Sequence, residues 1–222
     1  MKKLLILALT LFGLNTSFAQ QMRVIEHYSL GYGFDKKTSV PSFMYSQTLV
    51  MGKKSNFAIG TGFRLTTFFA KDKSYTGATS QNKGVSVIPH PRANINAINI
   101  PLIVEFKSKK VLIGANIDLI GFAFGGKRDS LTVNNTTTQR LDSLSFTPPR
   151  LNLAFGGRGL TNNEVYVGFR PQEELTVKVG ISFLFTQYNA RYRRNNKDVD
   201  FGRFKYDAPI MPFVSIIFNF EK

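Results

Sequence analysis

The sequence predicts an all-β fold: an eight-stranded, antiparallel, up-and-down transmembrane β-barrel with long external loops. Three observations carry this prediction. Apolar and polar residues alternate with a period of two, short turns alternate with long polar segments, and an export signal is followed by no apolar stretch long enough for a spanning helix. Only helices and closed barrels satisfy their backbone groups in lipid, so a membrane role requires a barrel.

The beginning of the chain has the layout of a secretory signal peptide. Two lysines precede an apolar run, Leu4–Leu14, and the small residues Ser17 and Ala19 mark a cleavage site. We expect removal of 1–19, which leaves 20–222 as the barrel domain. An uncleaved helix is the alternative, but its apolar run is shorter than the roughly 20 residues that span a bilayer. The absence of cysteine excludes a lipoprotein, disulfides and thiolate metal sites.

The order of the connections sets the strand count and the topology. Outer-membrane barrels have short periplasmic turns and longer external loops, whereas a soluble sandwich has no reason to keep that order. The expected turns are 52–56, 107–110 and 170–174, and the expected external loops are 70–97, 125–163 and 189–205. Eight strands with both termini in the periplasm follow, at about 24–34, 43–51, 57–69, 98–106, 111–124, 164–170, 174–188 and 206–220.

The alternation assigns a lipid face and a lumen face to these strands. In the segment 57–69, phenylalanine, isoleucine and leucine occupy one face, and alanine, glycine, arginine and threonine occupy the other. A sandwich also alternates, but the small residues of the polar face favour a tight interior over open solvent. In the last strand, Phe218 and Phe220 are expected on the lipid face near the periplasmic boundary, where this closing strand meets the first one.

One strand of the eight is ambiguous from sequence. The segment 151–170 fits a single long strand kinked at its glycines, or a short spanning strand at 164–170 with an extension above it. Counting 151–157 as a separate spanning strand gives nine strands and an external C-terminus. The even strand number of such barrels argues against that third arrangement.

The segment "INIPLIVEFKSKKVLIGANIDLIGF" resembles the PorT-like outer-membrane β-barrel proteins. The matching positions are Ile100, Pro101, Leu102, Gly114 and Ala115, which form a proline-containing strand, a short basic turn and a glycine-containing strand. The resemblance covers about 30 residues closely and the whole barrel loosely. It implies an eight-stranded outer-membrane barrel, with some members linked to type IX secretion. It implies no functional residue.

Four ionisable side chains are expected to point inward from spanning strands: Arg64, Glu105, Asp118 and Lys178. The interior of an eight-stranded barrel is just wide enough for side chains to fill, and unpaired charge there is costly. We therefore expect one lumenal charge network, with Arg64 and Asp118 at similar heights and the other two nearer the periplasm. A proton or solute path is the functional alternative.

The two histidines do not indicate an enzyme. His27 is expected to face the lumen near the periplasmic end, and His90 is expected in a loop. A lipid A deacylase or palmitoyltransferase would need a histidine beside a serine near the membrane surface, and no Ser–His spacing selects such a pair. Two histidines without cysteine also argue against a transition-metal site. We expect no catalytic residue, no metal and no cofactor.

The net charge of +15 includes a basic stretch near the C-terminal end. Arg191, Arg193, Arg194 and Lys197 are expected in the last external loop. Their composition alone also fits nucleic-acid binding, but an exported barrel does not meet cellular nucleic acid. Contact with lipopolysaccharide phosphates is the preferred interpretation, and an ordinary solvated loop is the alternative.

These features predict a small barrel of the cell outer membrane with a structural, assembly or interaction role linked to secretion. The expected partners are outer-membrane lipid, lipopolysaccharide, the barrel insertion machinery and an envelope protein that the sequence does not identify. A lipid A-modifying enzyme and a narrow solute pore are the alternatives. Eight strands leave no wide aqueous channel, which argues against the pore.

Overall fold

The structure is a computed structural model, and it describes residues 23–51, 56–77, 87–125, 128–135, 140–147, 151–153, 159–194, 197–207 and 210–221. The expected signal peptide, 1–19, lies outside the described residues. No helix in the described part of the chain is long and apolar enough to cross a membrane.

Twelve strands form one sheet in the described part of the chain. They are β1 (Arg23–Asp35), β2 (Thr38–Met51), β3 (Phe57–Gly77), β4 (Val87–Lys107), β5 (Val111–Phe124), β6 (Arg128–Asn135), β7 (Arg140–Thr147), β8 (Asn152–Leu153), β9 (Thr161–Phe169), β10 (Leu175–Arg194), β11 (Lys197–Asp207) and β12 (Met211–Glu221).

Eight of these strands close into a ring. The order is β12, β1, β2, β3, β4, β5, β9, β10, and β10 pairs again with β12. All of these pairings are antiparallel; for example, Tyr28 lies opposite Phe218, and Val179 lies opposite Val214. A closed ring leaves no strand edge along this section, so its backbone groups are satisfied without solvent.

Side chains alternate between the inside and the outside along most of this ring. In β12, Phe213, Ser215 and Ile217 are buried, whereas Phe218 and Phe220 are exposed by 46% and 53%. The aromatic residues of the outer face make ring contacts with each other, such as Tyr28 with Phe220 at 5.6 Å between centroids. The two phenylalanines of the closing strand thus point away from the inside of the ring.

A β-bulge changes which residues of β5 face inward, at the place where β5 pairs with β4. The register shifts between Ile100 and Pro101, which lie opposite Ile120 and Asp118. The bulge leaves Leu119 without an opposite residue, so the inward positions of β5 change from even to odd numbers. As a result, buried Asp118 points inward while Ile120 and Phe122 beyond the bulge stay exposed outside.

The segments expected to be long loops contain strands, so the expectation of loops is wrong for these parts. β3 extends to Gly77 and β4 begins at Val87, both β6 and β7 form within 125–163, and β11 begins within 189–205 and ends at Asp207. β11 pairs with β10 and also with β3, whereas β7 pairs with the C-terminal part of β10. The sheet therefore extends beyond the ring at this end, which we call the hairpin end. We call the other end, with the turns 108–110 and 171–174, the turn end.

The interior of the ring has an apolar layer and a polar layer. The apolar layer is near the hairpin end and is formed by Val40, Phe68, Ala70, Ala93, Ile95, Ala97, Ala123, Leu160, Leu184, Tyr188, Ala190, Phe204 and Met211. The polar layer lies between it and the turn end. Bulky side chains fill both layers, and Arg64, Tyr166, Tyr188 and Phe68 are among the largest that are fully buried.

Candidate functional site

The polar layer is built around Arg64, whose side chain is only 1% exposed. The alternation of β3 turns this residue inward. Its Nε atom lies 3.3 Å from Asp118 Oδ1, and its Nη1 atom lies 3.1 Å from Glu164 Oε1. Nη1 also donates a hydrogen bond of 2.8 Å to the carbonyl oxygen of Asn162. One buried cation is thus placed between two carboxylates on β5 and β9.

Amides hold the Asp118 carboxylate in place. Asn99 Nδ2 and the backbone N–H of Asn162 both donate to Asp118 Oδ2, each over 2.8 Å. Asn152 in turn donates to Asn99 Oδ1 over 2.7 Å, and its own Oδ1 accepts the N–H of Leu160. Because hydrogen bonds to an ionised carboxylate favour its charged form, this shell stabilises the ion pair with the guanidinium.

A second ion-pair cluster lies closer to the turn end and is centred on Glu105. Its Oε1 accepts a hydrogen bond of 2.7 Å from Lys178 Nζ, and its Oε2 lies 3.0 Å from Lys107 Nζ. Lys178 Nζ also lies 3.9 Å from the centroid of the Tyr166 ring, in cation–π geometry. Here one carboxylate serves two cations, the reverse of the arrangement around Arg64.

Tyr166 and Asn116 connect the two clusters. The Tyr166 hydroxyl lies 2.8 Å from Glu105 Oε1 and 2.9 Å from Asn116 Oδ1, so its single proton is shared between two acceptors. Asn116 Nδ2 then donates to Glu164 Oε2 over 2.9 Å. The four residues expected to form a lumenal network, Arg64, Glu105, Asp118 and Lys178, thus lie inside the ring and belong to one chain of contacts.

The network also contains Lys107, Glu164 and Tyr166, which are not among the four residues expected to form it. Glu164 and Tyr166 alternate with the apolar Val165 and Val167, so the same period-two pattern assigns both to the inner face. Lys107 was placed in a turn, but it is the last residue of β4 and points inward two positions after Glu105.

His27 is buried in the polar layer near the turn end. Its Nε2 atom lies 2.7 Å from Thr48 Oγ1, and its Nδ1 atom lies 2.8 Å from Asn219 Oδ1. A hydroxyl, an imidazole and an orienting amide in this order match the geometry of a nucleophile and its base. However, the adjoining cavity measures about 20 Å³, which holds a water molecule but no substrate. No group of three or more potential metal-ligating side chains occurs among the described residues.

Two further sequence expectations are corrected by the strands. His90 was expected in a loop, but it lies in β4, opposite Lys73 of β3. The basic residues expected in the last external loop lie on the hairpin of β10 and β11: Arg191, Arg193, Arg194 and Lys197. The register sets Arg191 opposite Asp200 and Arg193 opposite Asp198.

Comparisons with known proteins leave the family open. No family model matches the chain, and no curated protein matches it. A Pseudomonas aeruginosa FadL homologue is similar in structure with 9% identity and a TM-score of 0.21, over 90% of this chain and 88% of that one. Two mutants of the Rh. blastica porin match with 9% identity over 90% of this chain and 99% of theirs, with TM-scores of 0.12 and 0.13. These TM-scores are too low to carry an argument.

Proposed function

We propose that this chain is a small β-barrel of the cell outer membrane with a structural, assembly or interaction role, and that it has no catalytic activity. The observation that carries the proposal is the distribution of side chains across the closed ring. The outer face is apolar and aromatic, and the inner face holds the ion pairs of Arg64 and Glu105. In a water-soluble protein the charged side chains are on the outside.

The outer apolar surface supports a lipid environment. Large apolar side chains that are more than a third exposed occur on every strand of the ring, for example Tyr28, Phe63, Phe106, Val179 and Phe218. Contiguous apolar patches beyond a few hundred Å² are rare on soluble monomers. A closed antiparallel ring with such a face satisfies both requirements of the bilayer, which are an apolar surface and no unpaired backbone group.

The filled interior supports a role other than transport. Arg64, Tyr166 and Phe68 are among the side chains that occupy the cross-section of the ring, as expected for eight strands. Thr48 is 1% exposed and has no room for a substrate beside it, which argues against hydrolysis at His27. We therefore infer that the outer face and the two ends of the barrel carry the function. Membership of the PorT-like family is part of this proposal and rests on the sequence resemblance alone.

Replacement of Val179 by arginine tests the membrane location. Val179 is 55% exposed on β10 and lies opposite Val214 and Val167. If this face contacts lipid, an arginine there costs about 2–4 kcal/mol near the bilayer midplane, and less protein should remain in carbonate-extracted outer membranes. If water covers this face, the substitution changes stability by less than about 0.5 kcal/mol.

Replacement of Glu173 by arginine is the matched control, because Glu173 is exposed in the turn that precedes β10. This variant should be extracted as the wild-type protein is. The proposal fails if the wild-type protein leaves the membrane fraction in carbonate, or if Val179→Arg and the control behave alike.

A further inference from the structure

The turn end of the ring opens into a cavity of about 530 Å³ whose described charged lining is entirely cationic. Arg23, Lys107, Lys109 and Arg170 contribute these charges, and Asn56 and Ser108 contribute polar groups. No acidic side chain is among the described residues that line it. The volume lies within the range of about 300–1,000 Å³ that is typical of small-molecule sites.

Carboxylates lie near this mouth but not among its described lining residues. Glu105, deeper in the ring, is shared between Lys107 and Lys178, and Glu173 and Glu174 lie in the exposed turn 171–174. The described contact of the Arg170 side chain is a 3.4 Å hydrogen bond to the backbone carbonyl of Glu173, which is a neutral acceptor. Like charges in a confined space repel, and a concave wall of low dielectric concentrates their field.

Hydrogen bonds hold the backbone around the mouth in place. Lys107 N–H donates to the carbonyl oxygen of Asn56 over 2.6 Å, and Ser108 N–H donates to that of Val111 over 2.7 Å. Arg170 N–H donates to the carbonyl of Lys110 over 2.8 Å, which joins two neighbouring turns. These bonds order the backbone from which the cations extend, so a ligand need not order the turns when it binds.

We propose that this mouth is a binding site for a small multivalent anion that presents phosphate or carboxylate oxygens. Arg170 offers a planar fork of donors to two oxygens, while Lys109 and Lys107 act as point charges on either side. The bound anion relieves the repulsion among the cations at the mouth. This inference does not rest on the membrane location of the ring, because the mouth and its charges are the same in detergent.

The test is isothermal titration calorimetry on the full folded protein in a zwitterionic detergent, with inorganic pyrophosphate in one arm and citrate in the other. Lys109→Gln combined with Arg170→Gln should weaken binding at least about tenfold, since each removes a charged hydrogen-bond donor. Both positions are at turns, and an unchanged circular dichroism melt shows that the variant is folded.

The matched control is Lys36→Gln with Lys71→Gln, which removes the same charge from exposed positions at the hairpin end. The control should keep the wild-type affinity within about twofold. Tighter binding of pyrophosphate assigns the site to phosphates, tighter binding of citrate assigns it to carboxylates, and equal binding assigns it to charge alone. The proposal is overturned if neither anion binds at millimolar concentration, or if both double variants lose affinity equally.

Discussion

Replacement of Glu105 by glutamine should destabilise the protein more than replacement of Asp118 by asparagine, although both remove one buried carboxylate of the same network. The structure gives the reason. Glu105 serves two cations, Lys178 at 2.7 Å and Lys107 at 3.0 Å, and its loss leaves both without a carboxylate partner in the described contacts. Asp118 and Glu164 share the single cation Arg64, so loss of the Asp118 carboxylate leaves Arg64 and Glu164 as a balanced pair.

The expected magnitudes follow from these two situations. Removal of one partner from a buried ion pair costs about 3–5 kcal/mol, because an uncompensated charge stays in the interior. We assign Glu105→Gln to this range, toward its lower end because Lys107 lines the open mouth and can be hydrated there. Asp118→Asn replaces one carboxylate oxygen by an NH2 group, so either Arg64 or the donors of Asn99 and Asn162 lose an acceptor, which costs about 1–3 kcal/mol.

Urea unfolding in detergent micelles, followed by circular dichroism, measures both variants. The chain has no tryptophan, so indole fluorescence gives no signal. Adding Lys178→Gln to Glu105→Gln should restore part of the lost stability, because it removes one of the two unpaired cations. Equal midpoints for the two single variants, or a lower midpoint for Asp118→Asn, would refute the charge-balance argument. No recovery in the double variant would refute it as well.

Three other outcomes are expected. Deletion of 218–222 should leave export intact but prevent stable outer-membrane insertion, because it removes part of the strand that closes against β1. Extraction of membranes with urea or carbonate measures this, and a truncated protein that resists extraction contradicts the prediction. Gly159→Ala should lower the free energy of unfolding in urea by about 1–2 kcal/mol, because φ is +83° and an added Cβ would collide with Asn152. Gly33→Ala is the neutral control, because an added Cβ there would lie 3.6 Å from its nearest neighbour. Protease added to intact cells should spare the turns 52–56 and 107–110, and cleavage there contradicts a periplasmic turn end.

The sequence was most informative about the strands of the ring, because a half-buried strand has a local period-two pattern. Strands such as β3, β5 and β12 each have an apolar face that is evident without knowledge of their neighbours. The beginning of β2 was missed for a local reason. Pro41 and two serines weaken the pattern between Thr38 and Phe43, yet Pro41 is paired opposite Tyr32 in the structure.

The strands beyond the ring could not be found in this way. The segments that form β6, β7 and β11 have many polar residues and no continuous apolar face, so the sequence indicates loops. Their order in the sheet depends on long-range pairing. Phe204 of β11 lies opposite Gly77 of β3, more than a hundred residues away, and no local pattern encodes that contact.

The composition of the charge network was predictable in part, and its pairing was not. Alternation alone assigns Arg64, Glu105, Asp118 and Lys178 to the inner face. Which acid meets which cation depends on strand register, and the bulge opposite Pro101 sets the height of Asp118. A shift of one residue would turn Asp118 to the outer face and leave Arg64 with Glu164 alone.

The interior changes in polarity along the axis of the ring, and this change indicates which surfaces can bind a ligand or a partner. The middle is neutral in its described residues, with Arg64, Lys107 and Lys178 matched in number by Asp118, Glu164 and Glu105. Of the four cations that line the turn end, Lys107 belongs to this balanced set, and Arg23, Lys109 and Arg170 are additional to it. The hairpin end is filled by an apolar cluster, whereas the turn end is open and cationic. An anion that enters at the turn end meets a neutral plug and then an apolar one, so it can bind but has no path through. For this reason we expect the proposed barrel to bind a ligand or a partner and not to act as a channel.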